Sequence, residues 1–313
     1  FELNMIRPLV IARPFLFPQN VNGSIERQFI EHLIKKGFTP TVICSDRMGC
    51  DNISTIEDVY LTHENALVYN FLSVLNHLGL SEYIMMPDQI SRAWAPGAAK
   101  AAIKLIKDGY YDYLHSISFP LGCQIAGLKV KRETNIKWVE QFYEPWAGNV
   151  FRPKSTNYLK RTDLSMERKV AESADLILHN NIVIADIWIK RYVKQLAKKI
   201  EVLPLLLDTD EPYNNQNFQT KNKDKFIITH LGNFYGERTS IDFVNCINIL
   251  IKKHPDLRSC IQVYYVVAVP ESEQEHIETL GLNDIFMLIG KIPESETGVY
   301  LEQSDLLLAV DVK

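Results

Sequence analysis

A strand, a glycine-bearing loop and a helix are written twice in this chain, about 220 residues apart, and each copy opens one half of it. The first copy runs from the apolar stretch Leu9 to Ala12, through a loop carrying Asn22-Gly23-Ser24, into a helical pattern ending in Leu33-Ile34-Lys35-Lys36-Gly37. The second runs through Phe226-Ile227-Ile228-Thr229, then Gly232-Asn233-Phe234-Tyr235-Gly236, into a helical pattern ending in Leu250-Ile251-Lys252-Lys253. This unit builds doubly wound α/β domains, because parallel strands need a crossover helix between them. It also turns the free N–H groups of a helix start toward anions such as phosphate. Two such units, each opening its own domain, imply a ligand held between them.

Between the copies the apolar periodicity keeps switching between strand and helix. It predicts strands at Thr41 to Cys44, Tyr83 to Met86, Tyr111 to His115, Ile136 to Phe142, Leu176 to Leu178 and Ile200 to Leu203. Helices are expected at Asn65 to Leu80, Ala98 to Ile106, Leu121 to Leu128, Met166 to Ala174 and Ile184 to Lys199. Pro204 and the polar stretch Asp208 to Lys225 break the pattern and mark a hinge. Beyond it, strands at Phe226 to His230, Ile261 to Val269, Ile285 to Ile289 and Leu306 to Val310 alternate with helices at Ser240 to Lys253, Glu273 to Leu280 and Glu294 to Gln303. The expected architecture is α/β, with two Rossmann-like doubly wound parallel-sheet domains facing a cleft. Residues 1–204 form the first domain, 205–225 the linker and 226–313 the second, which ends on a strand and is expected to be incomplete.

A length of 313 residues fits two domains, and 46% apolar residues supply two cores. A net charge of −4 argues against a general nucleic-acid binder, which needs a dominant basic footprint. The charge is uneven, however: from Arg152 to Lys199 there are eleven basic and five acidic residues. That stretch reads either as solvated helix faces or as a docking surface for anionic lipid or a polyanionic substrate. The five cysteines, Cys44, Cys50, Cys123, Cys246 and Cys260, show no CxxC spacing, which points to a reducing compartment and no structural zinc. Arg13 and Pro14 interrupt the apolar start, so it reads as a first strand and not a signal peptide. No run approaches the roughly 18 apolar residues of a membrane span, which leaves only peripheral contact with a membrane.

Six segments carry a resemblance. They are the N-terminal glycine loop, IKWVEQFYEPWAGN, ERKVAESADLILHN, VLPLLLD, HLGNFYGERT and GKIPESETGVYLEQSDLLLAV, in this order along nearly the whole chain. Together they resemble the family 4 glycosyltransferases, which have the two-Rossmann-domain GT-B architecture. The resemblance implies transfer of a sugar from a nucleotide-diphosphate donor to a saccharide or lipid-linked acceptor, with retention and without a metal or other cofactor. It also implies bacterial surface-polysaccharide assembly, in the cytoplasm or peripherally at the inner face of the membrane. The family's donor-site Glu-x7-Glu element would follow the strand ending at Val310, beyond Lys313. Two alternatives stay open: a nucleotide-sugar epimerase of the same fold, and a non-catalytic carbohydrate-binding or scaffold protein.

The leaving group of such a reaction is a diphosphate, whose charge backbone dipoles and cationic side chains must offset. Gly232, Asn233 and Tyr235 follow the first strand of the second domain, and Arg238 lies within reach. The resemblance makes Arg238 the diphosphate cation; otherwise it is an arginine exposed at a helix start, where a cation is poorly placed without an anion. Gly290-Lys291-Ile292 is expected to grip the nucleobase through backbone atoms. In the first domain Gly23 and Ser24 form the acceptor or phosphate loop, or else a turn glycine and an N-cap. His115, read as the end of a strand facing the cleft, and Glu144, after the next strand, are the catalytic candidates. The competing readings are a structural histidine and a loop-capping glutamate beside a core Trp146. Glu167 reads as a surface residue.

Overall fold

The computed structural model describes residues 5–15, 21–46, 58–78, 80, 89–149, 156–192, 194–205, 224–234, 238–293 and 296–310. The chain divides into two compact units, Phe1–Asp208 and Thr209–Lys313. Each is built on a parallel sheet.

In the first unit β1 (Pro8–Ile11), β2 (Thr41–Ser45), β3 (Val59–Thr62), β4 (Tyr113–Ser118), β5 (Trp138–Phe142), β6 (Leu176–His179) and β7 (Ile200–Val202) lie in the order β3-β2-β1-β4-β5-β6-β7. All pairings among them are parallel. β1 is central and buried on both faces, as an unbroken apolar run allows. Its side chains alternate, Leu9 and Ile11 entering one core and Val10 and Ala12 the other. The second core is closed by Phe29 and Ile30 of α1 (Val21–Lys35).

The first core is covered by α4 (Ala95–Asp108), α5 (Gly122–Thr134), α6 (Asn157–Ser173) and α7 (Ile182–Tyr192), reached through α2 (Ala66–His77) and the short α3 (Gln89–Ala93). α4 lays Ala95, Ala98, Ala99 and Ala102 on the sheet, small residues that bring its backbone close. Thr156 caps α6 by accepting from the Leu159 amide at 3.3 Å. α5 ends on Asn135 in the left-handed conformation, a common helix stop.

The second unit repeats the plan on a smaller scale. β8 (Phe226–Leu231), β9 (Ile261–Val266), β10 (Phe286–Leu288) and β11 (Leu306–Leu307) lie in the order β10-β9-β8-β11, all parallel. In both units the first strand therefore sits between the second and the fourth. α9 (Ile241–Lys253) and α10 (Glu271–Thr279) enclose a core of Val244, Ile247, Ile251, Val263, Tyr265, Ile277 and Phe286, and α11 (Thr297–Gln303) precedes β11. No described helix is long and apolar enough to cross a membrane.

Several elements differ from their sequence expectation. α1 begins at Val21, so Gly23 and Ser24 lie in its first turn and not in a loop before it. β4 runs on to Ser118, because the hydroxyl of Ser116 is satisfied in the interior: it accepts from Trp138 Nε1 at 2.8 Å and donates to Gln124. α6 begins nine residues before the expected Met166. The helix expected from Ile184 to Lys199 is two, α7 and α8 (Lys194–Ala197), and β9 stops at Val266. β3, with the sequence Val-Tyr-Leu-Thr, is not among the expected strands; Tyr60 and Leu61 are exposed at the sheet edge. The strand expected at Tyr83 to Met86 and residues 206–223 of the expected linker lie outside the described residues.

The closest packing is where Gly127 of α5 meets Trp138 of β5. A Cβ at 127 would stand 2.6 Å from the indole ring. Gly127→Ala should therefore cost about 1–3 kcal/mol, as overpacking of a filled core does, read as a lower urea midpoint at unchanged m-value.

Candidate functional site

In an open parallel sheet the loops after two neighbouring strands part company where the winding direction reverses, and ligands settle in the crevice between them. In the second unit that point lies between β8 and β11. A cavity of about 430 Å3 opens there. Its floor is the end of β8, Thr229 to Leu231; Gly232, Asn233 and Arg238 line one side and residues 307–310 the other. Gly232 has φ +147°, a conformation that side-chain-bearing residues rarely adopt, so the turn off β8 depends on a glycine. Three of the donor-loop residues expected from the sequence thus come together around one cavity. Tyr235 lies outside the described residues. Gly290, Lys291 and Ile292 leave β10, two strands from β8 and so about 10 Å across the sheet, and none of them lines the cavity.

The histidine at the end of β8 is a further lining group. His230 is stacked on Phe234 at 4.7 Å and its Nδ1 lies 2.9 Å from the Leu308 carbonyl, an acceptor only. That bond places a proton on Nδ1, while Nε2 is buried and has no hydrogen-bond partner among the described residues. The pairing of β11 with β8 is locked by Asp305, whose amide donates to the Ile227 carbonyl at 2.8 Å and whose Oδ2 accepts from the Ile227 amide at 2.9 Å. On the other flank the start of α9 is held from a distance. The Ser240 amide donates to Glu273 of α10 at 3.1 Å, and the Ser240 hydroxyl donates to the same carboxylate. A carboxylate at a helix N-terminus satisfies orphan N–H groups and complements the helix dipole.

The first unit reverses between β1 and β4, and polar groups gather around the strand ends there. Arg13, just after β1, donates from Nε at 2.7 Å to Glu64 Oε1, which also accepts from Ser45 Oγ at 3.1 Å. Glu26 of α1 is fully buried, and among the described residues neither of its carboxyl oxygens has a hydrogen-bond partner. Burial pushes that carboxyl well above the usual carboxylate range, against the pull of Arg27 and Arg13. Ser118 Oγ at the end of β4 and the Tyr143 hydroxyl just after β5 are likewise buried and unpartnered. The Tyr143 hydroxyl is pushed up by burial and by the nearby Glu26. The signal for Glu26 was present in the sequence: it shares the helical face of Phe29, Ile30 and Leu33, where a charged residue is out of place.

The two catalytic candidates fare differently. His115 is the third residue of six in β4 and 2% exposed, so it does not end a strand at an open edge. It packs edge-on against Phe29 and its Nε2 lies 3.0 Å from Gln141 Oε1; burial lowers its pKa to about 4. This is a neutral core histidine. Glu144 follows β5, is half-buried and accepts from Asn149 Nδ2 at 2.8 Å, while Trp146 beside it is fully buried.

Glu167 is not a surface residue. With α6 starting at Asn157, the residues Leu159, Asp163, Glu167, Val170 and Ala171 share its buried face. Glu167 accepts from the Ala147 amide at 2.7 Å, from Arg191 Nη1 at 2.5 Å and from the Tyr192 hydroxyl. Asp163 accepts from Trp146 Nε1 at 3.2 Å. These two acids fix the loop after β5 to α6 and α7. The described cysteines Cys44 and Cys123 are buried and Cys246 and Cys260 exposed, all as free thiols; Cys50 lies outside the described residues. Among the described residues no cluster of His, Cys, Asp and Glu is arranged to hold a metal ion.

No protein-family model matches the chain, and no curated protein sequence matches it. Solved structures do match over nearly its whole length. The catalytic domain of Arabidopsis thaliana starch synthase IV, bound to ADP and acarbose, matches with TM-score 0.60 at 11% identity, over 97% of this chain and 77% of that one. A lipopolysaccharide outer core galactosyltransferase in its apo form matches with TM-score 0.58 at 11% identity, over 96% and 72%. The Neisseria meningitidis UDP-GlcNAc 2-epimerase bound to UDP-GlcNAc matches with TM-score 0.54 at 12% identity, over 97% and 76%. At these identities the likeness establishes the fold: two Rossmann-like units of the GT-B type, the second with the smaller sheet.

Two outcomes follow from the buried groups of the first unit. Glu167→Gln should lower the thermal midpoint and cost about 2 kcal/mol by chemical denaturation, because the partly buried Arg191 loses its counter-charge. His179 lies between Phe142 and Trp188 with both ring nitrogens unpartnered, and burial lowers its pKa from 6.5 to about 4. Between those values the unfolded chain binds the proton and the folded ring does not, so this histidine erodes stability as pH falls through the window. His179→Phe should therefore be more stable than the parent, by a margin that grows as the pH of the denaturation experiment is lowered from about 7 to about 5.

Proposed function

We propose that the chain is a retaining, metal-independent glycosyltransferase that takes a nucleotide-diphosphate sugar in its second unit and a saccharide or lipid-linked acceptor at its first. The observation that supports this most is the cavity at the β8–β11 reversal, where a glycine-dependent turn, the start of a long helix and a cation converge. A diphosphate leaving group needs that set: backbone amides and a guanidinium fixed where negative charge grows, with no reorganisation during departure. Arg238 is assigned to the diphosphate, with Gly232 and Asn233 supplying close backbone. His230, which lines the same cavity, is assigned to contact with the donor. Gly290, Lys291 and Ile292 remain assigned to the nucleobase and Tyr235 to the donor loop.

On the acceptor side Glu26, whose carboxyl burial biases toward the neutral form, and the hydroxyls of Tyr143 and Ser118, which have no hydrogen-bond partner among the described residues, are assigned to the acceptor. Gly23 and Ser24, in the first turn of α1, are assigned to the same edge through helix N–H groups. Glu144 is assigned to an acceptor or sugar hydroxyl; His115, closed in the core, is given no catalytic part. Residues 1–204 are then the acceptor domain, 205–225 the linker and 226–313 the donor domain, in a protein of the cytoplasm engaged in surface-polysaccharide assembly.

A second reading, a nucleotide-sugar epimerase, is favoured by the match to the UDP-GlcNAc 2-epimerase fold. It shares the donor cavity and needs no acceptor.

Isothermal titration of the protein with UDP, GDP and ADP tests the common part. One of the three should bind at micromolar to millimolar concentration, and Arg238→Ala should weaken that binding at least about tenfold, the equivalent of about 1.4 kcal/mol. Absence of binding by all three at millimolar concentration would sink both readings. Incubation with the matching nucleotide sugar and no acceptor then separates them, since an epimer as product identifies the second and rejects the first.

A further inference from the structure

The basic stretch between Arg152 and Lys199 gathers part of its charge around one place. A cavity of about 400 Å3 lies on the outer side of α6 and α7, lined by Arg161, Leu164, Ser165 and Arg168 of α6 and by Arg191 and Tyr192 of α7. Arg161 and Arg168 are two turns apart on one helix face. The Arg168 guanidinium stands 5.8 Å from the centre of the Tyr192 ring, which orients it over the cavity. Arg191 is held at the floor by Glu167 at 2.5 Å and the Ala147 carbonyl at 3.1 Å. Glu167 is fully buried and its hydrogen bonds are taken up by Arg191, Tyr192 and a backbone amide. Among the described residues neither Arg161 nor Arg168 has a carboxylate partner. Two guanidinium groups thus face a concavity of headgroup size with no carboxylate among the described residues to meet them.

The surroundings are apolar and open. Tyr158, one turn before Arg161, is 63% exposed, and Leu164 is 39% exposed. On α7, Val183 and Ile187 stand two turns and one turn before Arg191 on its side of the helix, 65% and 40% exposed. A site for a free phosphate in water gains nothing from a fringe of exposed aliphatic side chains. A face that settles at the headgroup level of a bilayer gains from both, with apolar groups reaching the acyl boundary and guanidinium groups staying at the phosphates.

We propose that the α6–α7 face of the first unit docks on an anionic lipid bilayer, with the phosphate of a phospholipid headgroup held between Arg161 and Arg168. This assignment is independent of the donor cavity and stands whether or not the sugar-transfer reading does. Co-sedimentation of the protein with phosphatidylcholine vesicles, with and without one third phosphatidylglycerol, tests it. Binding is expected only to the vesicles containing phosphatidylglycerol, and should weaken as salt is raised. The double variant R161Q/R168Q should bind those vesicles about 30-fold more weakly, as the loss of two basic residues at an anionic surface predicts. Both arginines are exposed, so its thermal midpoint and its nucleotide binding should match the parent. Three results would overturn the proposal: no binding to anionic vesicles, equal binding to both vesicle types, or parental binding by a folded double variant. Titration with inorganic pyrophosphate closes the remaining route: binding that depends on the two arginines, without vesicle binding, identifies a free-phosphate site in place of a membrane face.

Discussion

The cavity assigned to the donor depends on where a parallel sheet changes its direction of winding. A parallel strand pair forces a right-handed crossover, so a sheet that grows outward from its first strand in both directions must place its helices on opposite faces. Strand one is left between strands two and four in both units, and no single helix covers the gap where their loops diverge. The chain fills its interiors with alanine, valine, isoleucine and tryptophan, and its described positive-φ residues stand in loops and at element ends, one of them, Gly232, at that gap. The positive φ of Gly232 belongs there and not in the cores.

The buried polar groups of the first unit divide by whether they are satisfied. Glu167 and Asp163 accept from partners that tie a loop to two helices. Such groups fix geometry at little net expense, because each donor lost from water is regained. Glu26, Tyr143 and Ser118 are the opposite case, each closed off from solvent with a polar atom unmet. Their neighbours differ as well: Glu167 and Asp163 lie among helices, whereas Glu26, Tyr143 and Ser118 stand around the strand ends. Glu140 is an exception, a fully buried carboxyl in the middle of β5 with neither oxygen paired, pushed up by burial and then by Glu167.

Strand, glycine and helix spacing made the fold class legible, because a parallel sheet buried on both faces leaves continuous apolar runs such as Leu9 to Ala12. Edge strand β3 was missed although Val59-Tyr60-Leu61-Thr62 is rich in strand formers: it is four residues long, and at a sheet margin Tyr60 and Leu61 both face solvent, so no alternation marks it. His115 was misplaced because Ser116 and Ser118 look like a turn, while the tertiary partner that makes Ser116 acceptable inside, the indole of Trp138, lies 22 residues away. Glu167 was lost with the first two turns of its helix. The donor loop was read from local chemistry, glycine and arginine near a strand end. The fit of His230 to the cavity depends on the Leu308 carbonyl, 78 residues downstream.

The bond between Ser240 and Glu273 has a consequence for how the cavity can form at all. Ser240 does not cap α9 with its own side chain; the first turn is steadied by a carboxylate from the next helix along the chain. The loop that carries Arg238 is therefore moored at a point whose position is decided by the docking of α10, not by the few residues that make the loop. A nascent β8–α9 segment released on its own would have the glycine, the arginine and the helix pattern, yet lack the mooring. The anion-facing edge of the second unit is in this sense an emergent property of two consecutive crossovers, and its precision is inherited from packing between α9 and α10.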